Sequence, residues 1–409
     1  MKIEGNSNSV YRSKISSKLN KKNKSLQFLP NCLESISDKK TIIYNSQKIK
    51  SSYLIDIVHN LLLKYYFKKE NKFILNAMVL KDKYGYLYKH YIDYLVEMNI
   101  IKMICNYKKG YTSRIYSLNP IIFKERIRRI QNEDKVLIKK YKKKVFDTID
   151  FVDINQSTID VNVREKLISD LFSVDIDIER SLFYLDCLKK EDIDIYNRNV
   201  YSVESINDKH IFYHFDDYGR LHTNFTILKS FIRKNCLLID GQETCELDIK
   251  NSQPLFLCKL ISDSKTVWVN KEEFNFFKQL TVTGKFYQYL MQVTGEKQRG
   301  LIKEMTYKVL FGRNRSNSKP DMIFSNVFPT IYNFIKLYKK EFNNHKILAH
   351  DLQRAESNLI YNKIINKIML IYPEIKIITV HDSIVFAKAH REKIQKIFDY
   401  ELSNEFDLI

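Results

Sequence analysis

Residues 299–312 read RGLIKEMTYKVLFG. Arg299, Lys303, Tyr307 and Phe311 recur at every fourth position. Each step of four advances about 400° around an α-helix, so the four side chains share one slowly drifting stripe. The stripe runs charge, charge, aromatic, aromatic, and Gly312 ends it. Two cations one turn apart suit the phosphates of a nucleoside triphosphate. An aromatic ring one turn further on can stack on a base, and a second can meet the next base or the sugar. The same spacing also describes an amphipathic helix with its aromatics in the core and its cations in water. Two carboxylate segments, one on each side, favour the first reading.

The upstream segment is ELDIKNSQP, residues 246–254. Asp248 closes an apolar stretch just before Leu255, Phe256 and Leu257 restart a helical pattern. A carboxylate at a strand end, next to a backbone carbonyl such as that of Ile249, is a natural Mg²⁺ position. The downstream segment is IKIITVHDSIVF, residues 375–386, which reads as two strands with His381 and Asp382 at the turn. Two aspartates on separate strands can share two Mg²⁺ ions. Taken singly, Asp248 also reads as a helix cap and Asp382 as a turn residue.

The rest of the chain supplies context. It has 409 residues, room for two or three domains with real cores. A net charge of +20 points to a polyanionic partner, nucleic acid first. No apolar run reaches the roughly 20 residues needed to span a bilayer, and no signal peptide is visible. The six cysteines form no C-x-x-C pair, which argues against a zinc site and fits a reducing, cytoplasmic setting.

Residues 1–48 read as a loose basic arm. Residues 49–122 follow the order of a winged helix: helices, a turn, a further helix, then two strands joined by a basic turn. Tyr88, Lys89, Lys108, Lys109 and Arg114 are its candidate DNA contacts. Residues 123–205 read as helical and strongly basic, and residues 206–409 carry the chemistry. Asp177-Ile-Glu179 has the form of an exonuclease motif but lacks partner carboxylates.

Taken together, these segments resemble the polymerase core of family A DNA polymerases and their relatives, the phage-type single-subunit RNA polymerases. The resemblance covers roughly residues 210–390. Asp248 falls in motif A; Arg299, Lys303, Tyr307, Phe311 and Gly312 fall in motif B; His381 and Asp382 fall in motif C. Gly219-Arg220-Leu221 is similar to the segment that touches the primer–template minor groove, and Gln353 to a DNA-contacting residue on the helix before motif C. The chain departs from the pattern in five places, two of them being Phe311, where the last motif B aromatic is often Tyr, and the short segment between Gly312 and Gln353. The motif A glutamate that excludes a 2′-hydroxyl is Gln253, motif C ends in Ser383 as in the RNA polymerases, and the second motif B arginine is Gly300.

The resemblance implies an α+β fold. An antiparallel palm sheet would carry Asp248 and Asp382, with helical fingers and thumb-like helices, and a winged helix in front. It implies a monomeric, template-directed nucleotidyltransferase, a DNA polymerase without an exonuclease, of the kind a phage, plasmid or other mobile element encodes. Asp248, Asp382 and the Ile249 carbonyl would hold two Mg²⁺, or Mn²⁺ in their place. Arg299 and Lys303 would hold the triphosphate, with Lys303 protonating the leaving pyrophosphate. Tyr307, Phe311, Gly312 and Gln253 would line the nucleotide. Arg220, Gln353 and His381 would meet the DNA primer–template. The alternatives are an RNA polymerase or primer-making enzyme, and a winged-helix replication factor with an inactive polymerase-like half.

Overall fold

The computed structural model of the chain describes residues 25–108, 113–140, 159–189, 192–264, 268–314 and 318–407. It is a mixed α+β protein with antiparallel sheets, and it divides into two compact units.

The first unit takes residues 1–152, 174–211 and 227–238. Strand Ser25–Pro30 pairs antiparallel with Ile127–Asn132. Residues 25–48, expected as a loose arm, are therefore built into the unit. They end in a hairpin, Thr41–Tyr44 with Gln47–Lys50, turned through Asn45 and Ser46 at positive φ. That two-residue left-handed turn matches the twist of the strands. Residues 127–132, expected as helix, form a strand because Ile127 is buried and the arginines have partners: Arg128 pairs with Glu34, and Arg129 with Glu204 and Asp208.

Helix Ser51–Lys68 then leads to strand Phe73–Ile74, helices Ala77–Tyr84 and Tyr88–Glu97, and strands Ile101–Cys105 and Ile115–Leu118. The last strand is central in that three-stranded sheet. Leu54, Val58, Leu61, Phe73, Leu95 and Tyr116 are buried in one core. Asp56 sits in it with three partners: Gln27 Nε2 at 2.6 Å, Tyr84 Oη at 2.5 Å and Lys83 Nζ at 2.5 Å.

The second unit takes residues 153–173, 212–226 and 239–409. Its elements are α1 (Val161–Leu171), the hairpin β1 (Tyr213–Phe215) and β2 (Leu221–Thr223), and β3 (Gln242–Asp248). A helical run follows: α2 (Ser252–Asp263), α3 (Lys271–Val282), α4 (Phe286–Thr294), α5 (Arg299–Phe311), α6 (Lys319–Val327), α7 (Pro329–Glu341) and α8 (Ile347–Ser357). The helix continues from α8 through an eight-residue π segment, Asn358–Ile365, into α9 (Asn366–Ile371). Strands β4 (Ile377–Val380) and β5 (Ser383–Ala387) and helix α10 (Arg391–Phe406) close the unit.

The strand β5 lies between β4 and β3, antiparallel to both. All residues of β4 and β5 are buried, so this hairpin is fixed by packing on both faces. Tyr361, in the π segment, ties the layers together. Its hydroxyl accepts from Leu221 N at 3.1 Å and lies 3.3 Å from Thr379 Oγ1.

Candidate active site

The register of β3 against β5 sets Asp248 opposite Ser383, one residue from Asp382. Val380 pairs with Ser383 across the tip of the β4–β5 hairpin, leaving His381 and Asp382 as the two turn residues. His381 takes a left-handed φ of +55°, and the Asp382 carbonyl accepts from Ile249 N at 3.3 Å. The two carboxylates expected from sequence are thus neighbours at one end of the sheet. Burial pushes the Asp382 carboxyl up to about 7, and the negative charges of Glu356 and Asp248 push the same way; Lys303 opposes them. An anionic pair under this repulsion suits a cation. Two neighbouring carboxylates fit Mg²⁺, which keeps several of its waters. Among the described residues, no three His, Cys, Asp or Glu side chains converge tightly enough to form a metal site by themselves.

Helix α5 spans Arg299–Phe311 and stops at Gly312, as its spacing predicts. Its buried face belongs to Ile302, Thr306, Val309 and Leu310. The stripe borders that face: Arg299 and Lys303 are exposed, and Tyr307 and Phe311 are half-buried. The aromatics are therefore not the core of this helix. Tyr307 and Phe311 stack with ring centroids 5.1 Å apart, and Lys303 Nζ stands 5.5 Å from the Tyr307 centroid. The end of the stripe is held from below. Lys339 Nζ, buried, donates to the carbonyls of Val309 at 2.6 Å and Gly312 at 2.9 Å. Burial pulls that ammonium down to about 8. A Cβ at Gly312 would meet the Lys308 carbonyl oxygen at 2.3 Å, which explains the glycine there.

Two residues of the site escaped the sequence reading. Tyr287 on α4 is buried beneath the stripe, with Arg299 Cζ 5.0 Å from its ring centroid. Burial raises its hydroxyl pKa, and so do Tyr307, which hydrogen-bonds it, and Asp382. Glu356 on α8 is 2% exposed and accepts four hydrogen bonds. Arg220 gives two to Oε1, from Nε at 3.0 Å and Nη2 at 2.5 Å. Ser252 Oγ at 2.5 Å and Gln253 Nε2 at 2.6 Å give two to Oε2. In the sequence, Glu356 is one acidic residue on a helix. Its only signal is that it lies three positions after Gln353, hence on the same face.

Arg220, read from sequence as a minor-groove contact, is thus committed on one edge to Glu356. Gln253 is buried against the same carboxylate. The turn between β1 and β2 docks on α8: Tyr218 stacks on His350 at 4.1 Å, and Gly219, at φ +83°, leaves room for Ser357. Gln353 is half-buried on that helix. His381 is exposed, with the His222 ring 6.4 Å away. Ser383 points inward, its hydroxyl donating to Glu246 at 2.7 Å.

In the first unit, Lys108 and Arg114 are exposed at the ends of the last two strands, and Lys109 lies outside the described residues. The third helix, Tyr88–Glu97, exposes Lys89 but also Asp93 and Glu97. Tyr44 from the 41–50 hairpin bonds Glu97 at 2.8 Å and meets Tyr94 edge-on. Asp177 is the N-cap of helix Ile178–Leu188, accepting from Arg180 N at 3.0 Å. No helix among the described residues is long and apolar enough to cross a membrane. No protein-family model matches the chain, and no curated protein matches it.

Proposed function

We propose that the chain is a template-directed nucleotidyltransferase, a DNA polymerase of family A type acting on a DNA primer–template. One observation carries the reading: α5 buries Ile302, Thr306, Val309 and Leu310, while Arg299 and Lys303 are exposed and Tyr307 and Phe311 stay half-buried on the adjoining face, with Lys303 within electrostatic reach of Asp382. An amphipathic helix built for packing alone would bury its aromatics. The fold supports the reading too. The sheet of β3, β5 and β4 serves as palm, the helices α3 to α7 as fingers, and the three-stranded sheet of residues 73–118 has winged-helix strand order.

In this reading Asp248 and Asp382, with the Ile249 carbonyl, would hold Mg²⁺, which would supply activation of a primer 3′-hydroxyl and charge neutralisation at the phosphate. Arg299 and Lys303 grip the β- and γ-phosphates, and Lys303 is placed to protonate pyrophosphate. Tyr307 and Phe311 stack on the incoming base and its sugar, and Gly312 lets the backbone close behind them. His381, Gln353 and the free edge of Arg220 face the primer end. Because Ser383 is buried on Glu246 and Phe311 lacks a phenol, neither offers a contact to a ribose 2′-hydroxyl, which favours deoxynucleotides.

The test is extension of a labelled primer on a DNA template with Mg²⁺, in parallel lanes with dNTPs, NTPs, no primer, and an Asp248→Ala control. Template-directed dNTP addition, lost in the control, is the expected result. Addition of NTPs without a primer would move the chain to the RNA polymerase branch. No incorporation by folded protein that still binds DNA would overturn the enzyme reading.

A further inference from the structure

We infer that Glu356 is a positioning residue: it fixes the chain segment that leaves Asp248, and so holds that carboxylate in register with Asp382. The inference rests on the polymerase reading above. Ser252 and Gln253 open α2 four and five residues beyond Asp248. The connector between them bends at Asn251, φ +53°, whose side-chain amide donates to the Thr281 carbonyl at 3.2 Å. One end of this connector is held by the β3–β5 ladder. The other end is held by Glu356, through Ser252 Oγ and Gln253 Nε2.

A carboxylate is required at this point. It accepts on both oxygens, so Oε1 can take two bonds from Arg220 while Oε2 takes Ser252 and Gln253. An amide has one acceptor oxygen and can serve only one side. The same carboxylate thus joins three separate elements: the β1–β2 turn, the start of α2, and α8. Gln253 Oε1, buried and without a partner, fits an amide whose orientation is dictated by Glu356.

The test compares wild type with Glu356→Gln and with Arg220→Met/Glu356→Met. The double variant removes the charge pair together, so neither charge is left buried alone, while Ser252 and Gln253 lose their acceptor. Three quantities are read: thermal midpoint, Mn²⁺ binding to the free protein by electron paramagnetic resonance, and single-nucleotide incorporation. Both variants, once folded, are expected to bind Mn²⁺ at least about threefold more weakly. Glu356→Gln should lower kcat by about 10- to 100-fold, because a small misplacement of a reacting group is costly. The nucleotide KM should change little, since Arg299 and Lys303 sit on another helix.

Wild-type Mn²⁺ binding in either variant, once folded, overturns the inference, as does a kcat that merely follows the thermal midpoint. A wild-type protein that incorporates nothing would instead defeat the polymerase reading. The Mn²⁺ measurement would still decide the role of Glu356.

Discussion

At Asp382 the fold holds a carboxyl group whose proton is bound more tightly than in the unfolded chain, through burial and the charges of Glu356 and Asp248. Such a group contributes stability below its unfolded value, and that contribution is lost as pH rises through about 7. Asp382→Asn should therefore raise the thermal midpoint at pH 8 in metal-free buffer, by about 2–4 °C for each kcal/mol recovered. The gain should vanish near pH 4, and Mg²⁺ should stabilise wild type but not the variant. A lowered midpoint at pH 8 would show that the repulsion is not real.

His59 works in the opposite direction. Its Nδ1 accepts from Phe28 N at 3.2 Å, and burial pulls its pKa down to about 4. The unfolded chain binds the extra proton between that value and 6.5, so stability falls as pH falls through this window. The loss is on the order of 3 kcal/mol. His59→Gln keeps a neutral acceptor and should flatten that acid limb in calorimetric scans. An unchanged limb would assign it to other groups.

Helix α5 separates its two jobs by face. Truncating Ile302 or Leu310 to Ala should cost about 2–5 kcal/mol of stability, as for other buried aliphatics. Truncating Tyr307 or Phe311 should cost far less in a urea titration yet raise the nucleotide KM about tenfold or more, given about 1–3 kcal/mol per stacked base. If the aromatic truncations were the destabilising ones, the stripe would be packing and not a binding surface.

This division was legible in the sequence because helical period alone puts residues 299, 303, 307 and 311 together, and the His381–Asp382 turn followed from two apolar runs with polar residues between them. Glu356 and Tyr287 were not legible. Their partners lie far away in the chain, and only tertiary packing brings them to the site. The strand at residues 127–132 was missed for a related reason: its arginines read as a solvated face until Glu34, Glu204 and Asp208 were in place.

Across the whole molecule, the charge of +20 bears on partner and salt dependence. Some of the cations among the described residues are held in ion pairs: Arg128 and Arg129 in the first unit, and Lys166, Arg220 and Lys363 in the second. The third helix of the first unit shows two carboxylates to solvent. Only cations on a duplex-facing surface can engage phosphates, so the number engaged should be well below the formal charge. With about six to ten contacts, affinity for a primer–template duplex should fall by roughly 10³–10⁵ between 50 and 200 mM salt. Asp382→Ala should keep the same affinity and the same slope, because a carboxylate that serves the reaction does not hold the backbone. Measured by fluorescence anisotropy, a slope of log K against log salt shallower than about −2 would mean two phosphates or fewer are neutralised. The excess charge would then be ordinary solvated surface.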